Sequence, residues 1–134
     1  MDAQRIPFKY FLPGIAWFLI VGVLVFMPGS DVPEVKWLDI PQFDKLVHAG
    51  IFGVLVFLFC VPYFKLNISF KQKNQHFIRV CLAAIVWGIA VEIIQKYFVP
   101  GRSFDLLDWA ADTAGVLIAY WFCRKIIAWQ KSKA

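Results

Sequence analysis

Apolar residues in this chain fall in four long runs, with little alternation between apolar and polar positions. The runs extend from about Tyr10 to Met27, Lys45 to Phe64, Phe77 to Val99 and Leu106 to Phe122. Each is about 17 to 23 residues long, enough for an α-helix to cross a bilayer. Pro28-Gly29-Ser30 closes the first run and Pro100-Gly101 the third. The runs lack the broad polar face that a helix on a soluble protein turns to water. In lipid every backbone N–H and C=O needs an internal partner, which a helix supplies. The pattern therefore predicts an all-α integral membrane protein, a single domain over residues 1–134 built as a four-helix transmembrane bundle. The first run is long for a signal-peptide core and no A-x-A-like site follows it, so it reads as a retained helix.

Composition agrees with this picture. Hydrophobic residues are 60% and charged residues 17% of the chain, against about half and a quarter in soluble domains. The net charge of +5 raises the question of nucleic acid, and the placement of the charges answers it. Ten of the fourteen basic residues (Arg5, Lys9, Lys65, Lys71, Lys73, Arg79, Arg124, Lys125, Lys131 and Lys133) flank the same side of the spans. Eight of the nine acidic residues, all but Asp2, fall on the other side. Basic loops stay in the cytoplasm, so both termini are predicted to be cytoplasmic and no nucleic-acid partner is expected. The cytoplasmic (inner) membrane is the expected location. Cys60, Cys81 and Cys123 lie near cytoplasmic ends, are odd in number, and predict no structural disulfide. Tyr10, Tyr63, Trp121 and Trp129 would lie near the inner face, and Trp37, Tyr97 and Trp109 near the outer one, where aromatic side chains anchor at the interface.

This topology sorts the remaining polar residues. Asp44, Lys45 and His48 open the second span, Glu92 and Gln95 lie in the last two turns of the third, and Asp105, Asp108 and Asp112 open the fourth. All three groups converge on the outer end of the bundle. Asp44 and His48 share a helix face at i, i+4, and Glu92 and Gln95 at i, i+3. Asp105, Asp108, Asp112 and Gly115 step by 3, 4 and 3 down one stripe, and Gly115 beside Ala111 and Ala114 permits close helix contact. The Pro100-Gly101-Arg102 turn is expected to hold Arg102 above the acidic stripe. Asp105 and Asp108 also suit a helix N-terminus, where the dipole favours negative charge; Asp112 lies a turn too deep for that. Lys45 has an alternative as a lysine snorkelling to the interface. Glu92 lies roughly 12 Å below Pro100 by helix rise, where a carboxylate needs a partner, a proton or a function. The segment from Pro28 to Phe43 is read as a cap over this pocket.

D-K-x-x-H (Asp44, Lys45, His48), E-x-x-Q (Glu92, Gln95), P-G-R-x-x-D-x-x-D (Pro100 to Asp108) and the small-residue segment ending at Gly115 together resemble the VanZ-like family. The resemblance covers Asp44 to about Phe122. The family often has Asn where this chain has Asp112, so a role resting on an Asn amide does not carry over. The resemblance implies a small polytopic bacterial membrane protein, of a type whose namesake is associated with teicoplanin resistance. Three functions follow as expectations. The first is an envelope protein binding a lipid or lipid-linked headgroup, with Lys45, His48 and Arg102 toward phosphate and the carboxylates orienting them or binding amines. The second is a membrane enzyme on a lipid-linked substrate, with Glu92 and His48 as acid/base groups and His48, Glu92, Asp108 and Asp112 open to a divalent cation as cofactor. The third is a transporter, disfavoured because residues Phe52–Phe59 and Val80–Val86 are almost wholly apolar. Oligomeric state is left open.

Overall fold

The computed structural model describes residues 5–28, 30 and 42–133. A 3-10 turn at Phe8–Phe11 leads into α1 (Leu12–Val25). Three longer helices follow: α2 (Phe43–Phe64), α3 (Phe70–Phe98) and α4 (Leu106–Ser132). No strand occurs among the described residues. The segment expected to cap the pocket lies almost entirely outside them.

The helices cover all four apolar runs, with two extensions. α3 begins at Phe70 and not at Phe77. Ser69 Oγ accepts from the Gln72 backbone N–H, and Gln72 Oε1 accepts from the Ser69 N–H, a capping box that starts the helix seven residues ahead of the apolar run. α4 runs ten residues past Phe122, carrying its basic tail as helix. The helix is therefore longer than the apolar stretch inside it. Three helical segments, Phe8–Val25, Phe43–Phe64 and Phe70–Phe98, are long and apolar enough to cross a membrane. α4 has the length, but Asp108 and Asp112 interrupt its apolar sequence.

α2 and α4 form the most extensive pairing, α3 packs on both, and α1 lies against α2. The main core joins Phe52, Val56 and Cys60 of α2 to Phe77, Cys81 and Ala84 of α3 and Val116, Ala119 and Cys123 of α4. A smaller cluster, Val21, Val25 and Val91, holds α1 on with help from Trp17 and Trp87. Trp17 Nε1 also donates to the Ile51 carbonyl at 3.0 Å. The outer faces carry exposed Leu19, Val23, Val86, Leu117, Ile118 and Phe122, apolar surface that lipid covers.

Glycine sets the closeness of the α2–α4 seam. A Cβ on Gly115 would lie 2.0 Å from the Ala49 carbonyl oxygen. A Cβ on Gly53 would lie 3.3 Å from the Gly115 carbonyl oxygen. The stripe legible as Asp105-Asp108-Asp112-Gly115 is thus an interhelical register, with the glycine at the point of closest approach. Gly101 serves a separate need. Its φ is 75°, and the Arg102 N–H donates to the Val99 carbonyl at 3.2 Å. That is a type II-like reversal with Pro100 and Gly101 in their favoured places, and it returns the chain from α3 to α4 in few residues.

Candidate functional site

The first turns of α2, the last turns of α3 and the start of α4 meet at one end of the bundle, as the sequence predicted. Lys45 is the hub. Its Nζ donates to Asp44 Oδ2 at 2.9 Å, to Asp105 Oδ2 at 2.7 Å, and to Asp108 Oδ1. An ammonium has three N–H groups, and all three are used. Lys45 is therefore an interhelical clamp and not a snorkelling lysine. Asp105 also caps α4 by accepting from the Leu107 N–H at 2.8 Å. The hydrogen bond from Lys45 is the chief reason its carboxyl is held below the usual carboxylate range.

One turn deeper, His48 Nδ1 lies 2.9 Å from Asp112 Oδ1, and His48 Nε2 lies 3.7 Å from Asp108 Oδ2. An ionised carboxylate can only accept. With Asp112 ionised, this bond puts a proton on Nδ1 and turns Nε2 toward Asp108. Asp112 is 1% exposed. Space for it comes from α3, because a Cβ on Gly88 would sit 3.3 Å from Asp112 Oδ2 and 3.2 Å from the Trp109 ring. Trp109 is held by its Nε1–H, which donates to the Ile85 carbonyl at 3.1 Å. Here the indole is a tether between α3 and α4, where the sequence predicted an interface anchor.

Glu92 is fully buried. Its Oε2 accepts the Asp105 N–H at 2.8 Å, which fixes the end of α3 to the start of α4. Among the described residues its Oε1 has no partner, and neither does Asp112 Oδ2. Buried polar oxygens are nearly always satisfied, so each of these two calls for a water, a proton or a group beyond the described residues. Five carboxylates (Asp44, Glu92, Asp105, Asp108 and Asp112) gather here around Lys45 and His48, while Lys96 and Arg102 of the same end form no ion pair with them among the described residues. The site is strongly acidic.

Two expected members lie elsewhere. Gln95 is buried, and its Nε2 donates to the Val25 carbonyl at 2.7 Å, satisfying an orphan acceptor at the end of α1. Arg102 does not sit over the acidic stripe. Its Nε points to the Met27 carbonyl at 3.5 Å, and it forms no ion pair among the described residues. Lys45, one helix away, takes the carboxylates that the sequence reading gave to Arg102. The phosphate cradle expected from Lys45, His48 and Arg102 is accordingly not assembled. The four residues weighed as cation ligands are brought to the same end, but among the described residues no three His, Cys, Asp or Glu side chains are grouped to hold a metal ion. Sequence reasoning missed Gly88 and Ala49. A small residue facing a carboxylate or a glycine has no signal until the partner helix is known.

A polytopic helical membrane protein with an acidic, partly unsatisfied cluster where three helices meet is the class that fold and site define. The VanZ/LLP1 family profile matches residues 4–128, nearly the whole chain, and the chain belongs to that family. The match extends well beyond the Asp44–Phe122 stretch that carried the resemblance. No curated protein and no solved structure matches it.

Proposed function

We propose that this VanZ-family membrane protein uses its acidic cluster to engage the amine-bearing headgroup of a membrane lipid or lipid-linked envelope precursor at the outer leaflet of the bacterial inner membrane. In doing so it lowers sensitivity to teicoplanin-type glycopeptides. The observation that carries the reading is the cluster itself: five carboxylates gathered around Lys45, whose donors are all used, with oxygens on Glu92 and Asp112 that have no partner among the described residues. Such a site attracts a cation and repels phosphate. This shifts the headgroup chemistry away from phosphate recognition by Lys45 and Arg102 and toward amine recognition by the acids.

The test is susceptibility to teicoplanin and to vancomycin in a Gram-positive host, at matched membrane levels of wild type, Glu92→Gln and Asp108→Asn. Both substitutions are nearly isosteric and remove one negative charge. Selective protection against teicoplanin that disappears in both variants is the expected result. Protection retained in both would overturn the acidic cluster as its cause.

A second reading has its own support. The Asp112–His48 pair, with Nε2 turned toward the less enclosed Asp108, is the arrangement that prepares an imidazole as a general base. A membrane enzyme acting on a lipid-linked envelope substrate would use His48 in that role, in place of the Glu92 expected from sequence. Glu92 supports it less, because one of its oxygens is committed to the Asp105 N–H. Turnover of a lipid-linked envelope precursor by purified wild-type protein, abolished in His48→Gln, would favour this reading. Unchanged turnover in that variant would remove it.

A further inference from the structure

Below the acidic cluster, on the outer face of the α2–α4 seam, lies an open groove of about 540 Å³. Leu46, Gly50 and Phe57 of α2 and Gly115, Ile118 and Phe122 of α4 are among its lining residues. Its upper end adjoins the cluster through the chain itself: Leu46 follows Lys45, Ala49 follows His48, and Gly115 stands three residues past Asp112. Its floor is glycine and alanine because the two helices touch there, so the hollow is a product of the close approach that also sets the ion pairs. From Leu46 to Phe57 is eleven residues, or about 16 Å at 1.5 Å per residue. That is about half of the ~30 Å hydrocarbon core of a bilayer, the depth of one leaflet.

We infer that this groove seats one acyl chain of an amphiphile from the same leaflet as the acidic cluster, whose amine-bearing headgroup lies against the carboxylates of that cluster. Three observations carry the assignment to a lipid chain. The groove is one leaflet deep, its lining is almost wholly apolar, and it ends at carboxylates rather than at a second apolar patch. The headgroup half rests on the proposed function above. The chain half does not. The exposed carboxylates of Asp44 and Asp105, at the Leu46 end of the groove, supply the negative end of the match. A second copy of this chain packing on Gly50 and Gly53 is the competing occupant. It would leave the carboxylates at the groove's end without a counterpart, since the exposed groove walls Leu46, Val54 and Ile118 carry no cation.

The experiment uses the full chain in liposomes with two probes, each carrying a diazirine at mid-chain: a phosphatidylethanolamine, which has an amine, and a phosphatidylglycerol, which has none. Photolabelled peptides are mapped by mass spectrometry, with the exposed Leu82–Val86 face of α3 as the reference for general lipid contact. The expected result is enriched label on Gly50–Phe57 and Ile118–Phe122, about fivefold stronger from the amine probe, as an exposed amine–carboxylate pair allows. Gly50→Leu should bring the label down to the α3 level. A Cβ at Gly50 meets nothing within 4 Å, so this substitution fills the groove without disturbing the seam. Ile118→Trp fills it from the opposite wall and guards against a folding defect in either variant alone. Equal enrichment from both probes, lost in both fillers, would support the chain site and overturn the headgroup reading. Label in the groove no stronger than on α3 would overturn the chain site. So would disulfide-linked dimers forming in high yield through Gly50→Cys, which would give the seam to a second copy.

Discussion

Gly115→Ala adds a single methyl group at the tightest point of the bundle. The new Cβ would lie 2.0 Å from the Ala49 carbonyl oxygen and 2.8 Å from its Cα, both backbone atoms that cannot rotate away. Restoring an ordinary contact near 3.4 Å needs the helices to part by about 1.4 Å at this level. The pairs that bridge the same two helices lie one to three turns away. His48–Asp112, at 2.9 Å, would stretch toward about 4 Å and cease to be a hydrogen bond. Overpacking of this kind costs about 1–3 kcal/mol, and a charge-assisted hydrogen bond contributes about 1.5–3 kcal/mol. A loss of about 3 kcal/mol corresponds to a fall in Tm of roughly 10 °C for a chain of this size. Thermal unfolding of purified protein in detergent, followed by tryptophan fluorescence, measures it. Gly50→Ala is the matched control, on the partner helix α2 with open space around its Cβ. It should be neutral or stabilise by up to about 1 kcal/mol, as alanine does in a helix. A Gly115→Ala protein melting within about 2 °C of wild type, well under the shift from 1 kcal/mol, would refute the close seam and the site geometry that depends on it.

Two other outcomes follow from single contacts. Gln95→Leu keeps the volume but removes the donor to the Val25 carbonyl, and should cost about 1–3 kcal/mol while leaving the ratio of teicoplanin to vancomycin susceptibility unchanged at matched levels; a changed ratio would return Gln95 to the ligand site. Asp105→Asn tests the Lys45 clamp through pH. The folded carboxyl titrates below its unfolded value near 3.8, so its contribution is present above that pH and is lost as pH falls through the folded value. The Tm gap between wild type and Asp105→Asn should be open at pH 7 and close below pH 3.8; a gap independent of pH would mean that Lys45 does not favour the ionised form.

The candidate site was legible in the sequence as a set and not as a wiring diagram. Helix spacing placed Asp105, Asp108, Asp112 and Gly115 on one stripe because their separation is local, fixed by 3.6 residues per turn. Which cation answers that stripe is not local. Arg102 is close in sequence and Lys45 is sixty residues away from Asp105, yet Lys45 holds the carboxylates because α2 lies against α4 while the Arg102 turn leans toward α1. Gln95 was grouped with Glu92 because both lie on one face of α3, but that face borders two neighbours. One residue meets α1 and the other meets α4. The start of α3 was missed for a different reason. Hydropathy marks where a helix becomes apolar, whereas Ser69 and Gln72 mark where it begins, and the S-x-x-Q signature was available in the chain.

The Lys45 clamp also bears on how the protein is made. Chains are synthesised from the N-terminus, so α2 emerges with its lysine and histidine well before Asp105, Asp108 and Asp112 exist. Until α4 arrives, Lys45 has its neighbour Asp44, and His48 lacks the carboxylates of Asp108 and Asp112 that it meets in the folded chain. A lysine short of partners is costly within a bilayer, so the register of α2 is completed only when the α4 carboxylates reach Lys45. A truncation that ends before residue 105 leaves Lys45 with Asp44 as its one carboxylate partner among the described residues, and the second helix without the charges that tie it to the fourth.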